Sequence, residues 1–157
     1  MIFATVGSSH IPFERLMRAL DALPAAELVV QHGPAQATAA ARATAFMPFD
    51  ELAELVEAAD VVVSHAGVGS ILCAIRAGHT PIVLPRLERF GETVDDHQLE
   101  LAEALDRQGR IVSLGAAADL ADAVAAARPR TAPSPPTVRP IHAAVRAALR
   151  GEPVPPA

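Results

Sequence analysis

Three consecutive valines, Val61 to Val63, run through Ser64 straight into His65, Ala66, Gly67, Val68, Gly69 and Ser70, and this junction limits the fold more than any other stretch. A short β-branched run without polar alternation is a strand covered on both faces, the state of strands in parallel sheets. The two glycines permit a tight turn and close approach of a ligand, and residues 70–77 read as a helix ended by Gly78. A strand that turns directly into a helix leaves unpaired amides at the helix start, backed by the helix dipole, and these favour an anion. The dipole contributes only about 0.3 to 1 kcal/mol, so amide hydrogen bonds must provide much of the hold. A phosphate or diphosphate is the natural ligand.

The rest of the chain repeats the alternation. Residues 1–6 read as a first strand, followed by a turn at Gly7, Ser8 and Ser9 and a helix over 13–23. Strands are expected at 28–32 and 43–46, and a helix at 49–58 with Leu52, Leu55 and Val56 on one face. A further strand at 81–85 ends in a loop closed by Asp95, Asp96, His97 and Gln98; a helix over 95–108, a short strand at 111–113 and a helix at 117–127 complete the series. The expected fold is α/β: an open, mostly parallel Rossmann-like sheet flanked by helices, with ligands beyond the C-terminal ends of its strands. Residues 1–127 form the expected core domain. Eight of the fourteen prolines lie in residues 128–157, which read as a Pro-rich tail. Within it, residues 139–150 carry Ile141, Val145 and Leu149 on one stripe, a short helix able to fold back on the body, dock a partner or touch an anionic membrane surface.

Composition excludes several functions. The glycine spacing is not the dinucleotide fingerprint, and a phosphate loop ending in Lys-Ser or Lys-Thr is impossible in a chain without lysine. A net charge of −5 provides no basic surface for nucleic acid. A single cysteine, Cys73, excludes an internal disulfide and fits a reducing compartment. Without a membrane-length apolar stretch or a signal peptide, the expected location is cytoplasmic, or peripheral at the cytoplasmic membrane face.

Four segments in order resemble a known family: Phe46-Met47 before a helix; residues 59–70, from Ala59 through the glycine pair to Ser70; Pro81-Ile82-Val83-Leu84-Pro85; and residues 95–102, opening with Asp95-Asp96-His97-Gln98. Together with Thr5-Val6-Gly7-Ser8-Ser9, they resemble the C-terminal, donor-binding half of family 28 glycosyltransferases of the GT-B architecture. Within that family the likeness is to small subunits of two-chain enzymes that extend dolichol-linked oligosaccharide, and to bacterial exopolysaccharide relatives.

The resemblance implies transfer of a sugar, N-acetylglucosamine or another hexose, from a UDP-sugar to an acceptor hydroxyl, lipid-linked in the relatives, with inversion and without a metal or other cofactor. It implies that His65, Ala66, Gly67, Gly69 and Ser70 meet the donor diphosphate, that Gly7 and Ser8 form a facing loop, and that the Met47 backbone reads the uracil ring while its side chain is free to join the core. Asp96 and Gln98 are the candidates for sugar hydroxyls, where polar contacts discriminate better than apolar shape; Asp95 or Asp96 can equally cap the following helix. The general base belongs to an acceptor-binding, membrane-associated partner subunit, the local candidates being His65, His10 and His97, although an imidazole near a diphosphate also serves as a donor to it.

Two positions depart from the family pattern. Cys73 stands where relatives carry a Glu that holds the ribose hydroxyls, and a thiol cannot replace that acceptor. Asp96 stands where Asn is common, so its charge needs hydroxyls or a cation, for which Arg86 and Arg89 are the neighbours in sequence. The Cys73 substitution also suits a different class of function, a sugar-nucleotide-binding regulatory or scaffold subunit without catalysis. A UDP-sugar hydrolase or epimerase is a third class, and the epimerase would need a second domain and further cleft carboxylates.

Overall fold

A computed structural model describes residues 1–127; the Pro-rich tail and its helix at 139–150 lie outside them. Six strands, all parallel, form one sheet: β1 (Ile2–Thr5), β2 (Leu28–Gln31), β3 (Arg42–Thr44), β4 (Val61–Ser64), β5 (Ile82–Val83) and β6 (Val112–Ser113). Their spatial order is β3-β2-β1-β4-β5-β6. The chain builds outward from β1 through β2 and β3, then returns to the other side of β1 with β4. That reversal opens a crevice at the carboxyl ends of β1 and β4, the place where open α/β sheets bind ligands.

The central strands are buried on both faces, so they show no polar alternation. In β1, all four residues are buried, and successive side chains serve opposite layers. Ile2 and Ala4 join Leu16, Leu20, Leu28, Val30 and Leu120 under α1 (Glu14–Leu20) and α5 (Leu120–Ala125). Phe3 points the other way, with Val29, Met47, Val56, Val62 and Ala74 under α2 (Phe49–Ala58) and α3 (Val68–Arg76). A third cluster of Ala66, Ile71, Val83, Ala102 and Ile111 seats α4 (His97–Arg107). Each fully buried Leu, Phe or Val side chain contributes roughly 1.5 to 3 kcal/mol from apolar burial.

The elements expected within residues 1–127 are all present, with shifted ends. Strand β3 runs from Arg42 to Thr44, not 43–46; the Ala45 carbonyl still accepts the Gly33 amide at 2.9 Å, and Phe46 reaches the crevice. Helix α3 begins at Val68, two residues before the expected start, and α4 begins at His97. The expected helix over 117–127 divides into a 3₁₀ turn, Ala117–Asp119, and α5. No helix of the described residues is long and apolar enough to cross a membrane.

Candidate functional site

The crevice holds a cleft of about 370 Å³. From the loop after β1 come Gly7 and Ser8; from the turn after β4 come His65, Gly67, Gly69 and Ser70. Met47 lines one wall, and Phe46 and Phe49, 66% and 64% exposed, form an aromatic rim. The Met47 side chain is itself buried in the cluster around Phe3 and Val56. A larger groove of about 600 Å³ between α1 and residues 117–121 contains none of the sequence-predicted site residues.

Hydrogen bonds fix both loops from below. Thr5 and Gln31 are register partners at the ends of β1 and β2, and the Thr5 hydroxyl bonds to Gln31 Oε1 at 2.5 Å. The Gly7 amide donates to Thr5 Oγ1 at 3.1 Å, and Gln31 Nε2 donates to the Gly7 carbonyl at 3.3 Å. Under the second loop, the buried Ser64 hydroxyl lies 2.8 Å from that of Ser70, which donates to the Gly67 carbonyl at 3.0 Å. Helix α3 has Gly67 as its N-cap and no side-chain cap, so its first-turn amides have no intrahelical or capping acceptor and border the cleft.

The His65 ring lies between the two loops. A Cβ on Gly7 would come 2.3 Å from its Cε1, and one on Gly67 would come 2.2 Å from its Nε2. Both glycines are therefore required by this imidazole, and Gly7 also by its φ of +77°. The sequence reading assigned that requirement at Gly67 to the turn and the ligand. Gly69 is different, because nothing lies within 4 Å of a Cβ built there. Burial first, and the positive charge of Arg86 second, lower the His65 pKa to about 4, while a hydrogen bond with the Thr5 backbone acts the other way. The ring is neutral near pH 7, and its Nδ1 is buried.

Other sequence candidates lie elsewhere. The Ala66 side chain belongs to the core. Asp96 borders a separate pocket of about 150 Å³ with Arg89 and Leu99, and its Oδ1 accepts the Glu88 amide at 2.9 Å. Asp96 is the N-cap residue of α4 but makes no side-chain capping bond; Asp95, one residue before it, accepts the His97 amide at 3.1 Å and pairs with the His97 ring at 2.9 Å. Hydrogen bonds from the His97 amide and ring lower the Asp95 pKa. Gln98 is partly buried, with Oε1 unpartnered. His10 and His97 are exposed and do not line the cleft. Cys73 packs against the Phe3 cluster, and burial and then Glu57 raise its pKa. Arg86 is not a surface partner for Asp96: it is 1% exposed, with Nη1 and Nη2 on backbone carbonyls and Nε buried without a partner. Arg89 stacks on Phe90.

Sequence reasoning missed Thr5, Gln31 and Arg86 as site-building residues. A polar residue closing each of two apolar, adjacent strands was the available signal for the first pair.

Comparison with known proteins gives a consistent result. The model of the glycosyltransferase family 28 C-terminal domain matches residues 1–114. The chain is 39% identical over 72 residues to the UDP-N-acetylglucosamine transferase subunit ALG13 of Yarrowia lipolytica (strain CLIB 122 / E 150), a match covering 46% of this chain and 35% of that protein. It is 40% identical over 62 residues to the Homo sapiens protein of the same name, covering 40% of this chain and 5% of that one. These matches span well under half the length of either relative. The crystal structure of the glycotransferase of kitacinnamycin superposes with a TM-score of 0.54 at 22% identity, over 96% of this chain and 39% of that one. At that identity the likeness concerns the fold alone.

Proposed function

The chain belongs to the glycosyltransferase family 28 C-terminal domain family, and from that premise we propose that it is the donor-binding subunit of an inverting, UDP-sugar-dependent hexosyltransferase whose acceptor site lies on a partner subunit. The observation that carries this reading is the pair of loops after β1 and β4 facing each other at the sheet's reversal point, with the uncapped start of α3 between them. The ALG13 relatives, named as subunits of a UDP-N-acetylglucosamine transferase, support the nucleotide sugar and the need for a partner.

In this reading the donor diphosphate meets the amides of residues 68–70 and the Gly7-Ser8 loop. The uracil ring lies against Met47, Phe46 and Phe49. Gln98, at the start of α4 and with its Oε1 unpartnered, is the candidate for the sugar hydroxyls. An acceptor hydroxyl from the partner's side attacks the anomeric carbon, the bond to the diphosphate oxygen breaks, and UDP leaves carrying the negative charge. Fixed amide donors stabilise that charge without reorganising, an effect worth roughly 2.7 to 4 kcal/mol per well-placed donor. A neutral His65 can donate one N–H to the leaving group. The general base then comes from the partner, and peripheral membrane association comes through it.

The half-buried Cys73 favours a second reading, a sugar-nucleotide-binding scaffold subunit, because its thiol packs on the core and provides no acceptor for ribose hydroxyls.

Calorimetric titration with UDP, UDP-N-acetylglucosamine, UDP-glucose and ADP, with and without a divalent ion, tests the donor site. The expected result is metal-independent binding of uridine nucleotides that is lost in Gly69→Asp, where an added carboxylate faces the anion site. Absence of uridine nucleotide binding by the chain, both alone and reconstituted with its partner, would overturn the reading. Binding without sugar transfer in the reconstituted complex would favour the scaffold.

A further inference from the structure

Arg86 follows β5 closely and is among the largest fully buried side chains of the described residues. Buried cations are rare and costly unless paired and hydrogen-bonded. This one is bonded chiefly to backbone. Nη2 donates to the Val6 carbonyl at 3.0 Å, and Nη1 donates to the Ile11 and Glu92 carbonyls at 2.9 and 3.0 Å, with Pro12 O at 3.5 Å. The guanidinium lies 4.6 Å over the Phe13 ring centroid. Val6 and Ile11 bracket the loop that carries Gly7 and Ser8, so one side chain grips both ends of the cleft's first loop.

The nearby carboxylate is engaged elsewhere. Glu92 receives Arg15 through both oxygens, at 2.9 and 2.7 Å, and also accepts the Leu87 amide at 3.0 Å. The Arg86 charge is thus surrounded by carbonyl dipoles and an aromatic face, with the Glu92 carboxylate acting on it through space. A buried, incompletely paired cation keeps its reach, because neither solvent nor salt screens it well. Among the described residues, Arg86 is also the charged group whose field acts on the His65 ring.

We propose that Arg86 is the positioning residue of the donor cleft: its guanidinium fixes the 6–12 loop opposite the start of α3 and lends the site a buried positive charge that favours the donor's diphosphate. In a chain without lysine and with a net charge of −5, such a charge offsets the unfavourable overall field for an anionic ligand. The proposal rests on the donor-site reading for the identity of the anion, but not for the loop clamp or for the field on His65.

The test uses the full chain and the variants Arg86→Met and Arg86→Lys. Three readings are taken: UDP affinity, exchange rates of the Gly7 to Ile11 amides, and the NMR titration of the His65 ring. Arg86→Met is expected to weaken UDP roughly tenfold or more, to speed loop exchange, and to raise the His65 midpoint above its wild-type value of about 4. Arg86→Lys keeps the charge without the planar fork, so the midpoint stays low while exchange speeds and UDP binding weakens. A latch serving stability alone predicts an unmoved His65 midpoint in a folded Arg86→Met variant. That result, together with wild-type UDP affinity, would overturn the proposal. Should the Met variant not fold, the Lys variant decides: unchanged exchange and affinity would overturn it. Should the wild-type chain not bind UDP, the donor reading falls separately, and an unmoved His65 midpoint with unchanged loop exchange would overturn the role of Arg86.

Discussion

The imidazole of His65 fills the space where a side chain on Gly67 would begin, with Nε2 only 2.2 Å from the ideal Cβ position. The neighbouring Gly69 has open space at the same atom. Gly67→Ala must displace the ring or bend the turn, and overpacking of this kind costs about 1 to 3 kcal/mol. Gly69→Ala is expected to stay within about 0.5 kcal/mol of wild type. Denaturant melts of both variants measure the contrast. The double variant Gly67→Ala/His65→Ala should recover part of the loss, since the two residues compete for one volume.

Stability should depend on pH through His65. The folded-state pKa is about 4 against an ordinary value of 6.5, so between these values the unfolded chain binds a proton that the folded chain refuses. Folding stability therefore rises with pH across this window and falls on acidification, by at most about 3 kcal/mol for this group. Urea titrations at pH 4.5 and 7 should show a smaller drop in His65→Gln than in wild type. Equal drops in the two proteins would contradict the burial of a neutral ring.

The succession of strands and helices and the two loops were legible because the evidence for them is local. The Val61 to Val63 run and the glycines after it announce a strand covered on both faces and its turn into a helix, and Pro81 to Pro85 bounds β5. What the sequence hides is the third dimension of polar side chains. Asp96 and Gln98 look like part of the same site in a linear reading, yet Asp96 turns to the Glu88 amide beside a separate pocket, and it is Asp95 that accepts the first amide of α4. Arg86 looks like a surface cation in a loop; the carbonyls that bury it come from residues 74 to 80 positions earlier and six positions later. Such long-range satisfaction of a buried charge leaves no periodic trace.

The aromatic rim should bind nucleobase without supporting the fold. Phe46 and Phe49 are about two-thirds exposed, so Phe46→Ala removes little core packing and should leave the melting temperature nearly unchanged. If uracil stacks there, the variant weakens UDP and UDP-sugars equally, by roughly 1 to 3 kcal/mol, the range for a base on an aromatic platform. Calorimetry with UDP and one UDP-sugar distinguishes this from a sugar contact, which would change only the second affinity.

Cys73 should be a slow thiol. It lies half-buried on α3, and burial followed by the negative charge of Glu57 raises its pKa, with Arg76 opposing. Only the thiolate attacks disulfide reagents, so a raised pKa and restricted access both lower its reactivity. Modification by an aromatic disulfide at pH 7.5 is expected to be far slower in the folded chain than in urea, and UDP should leave the folded rate unchanged, because the thiol faces the Phe3 cluster and not the cleft. Strong protection by UDP would instead bring Cys73 to the ribose. Cys73→Glu extends the test: a carboxylate directed at the core costs stability without raising affinity, whereas one that reaches the ribose strengthens UDP binding.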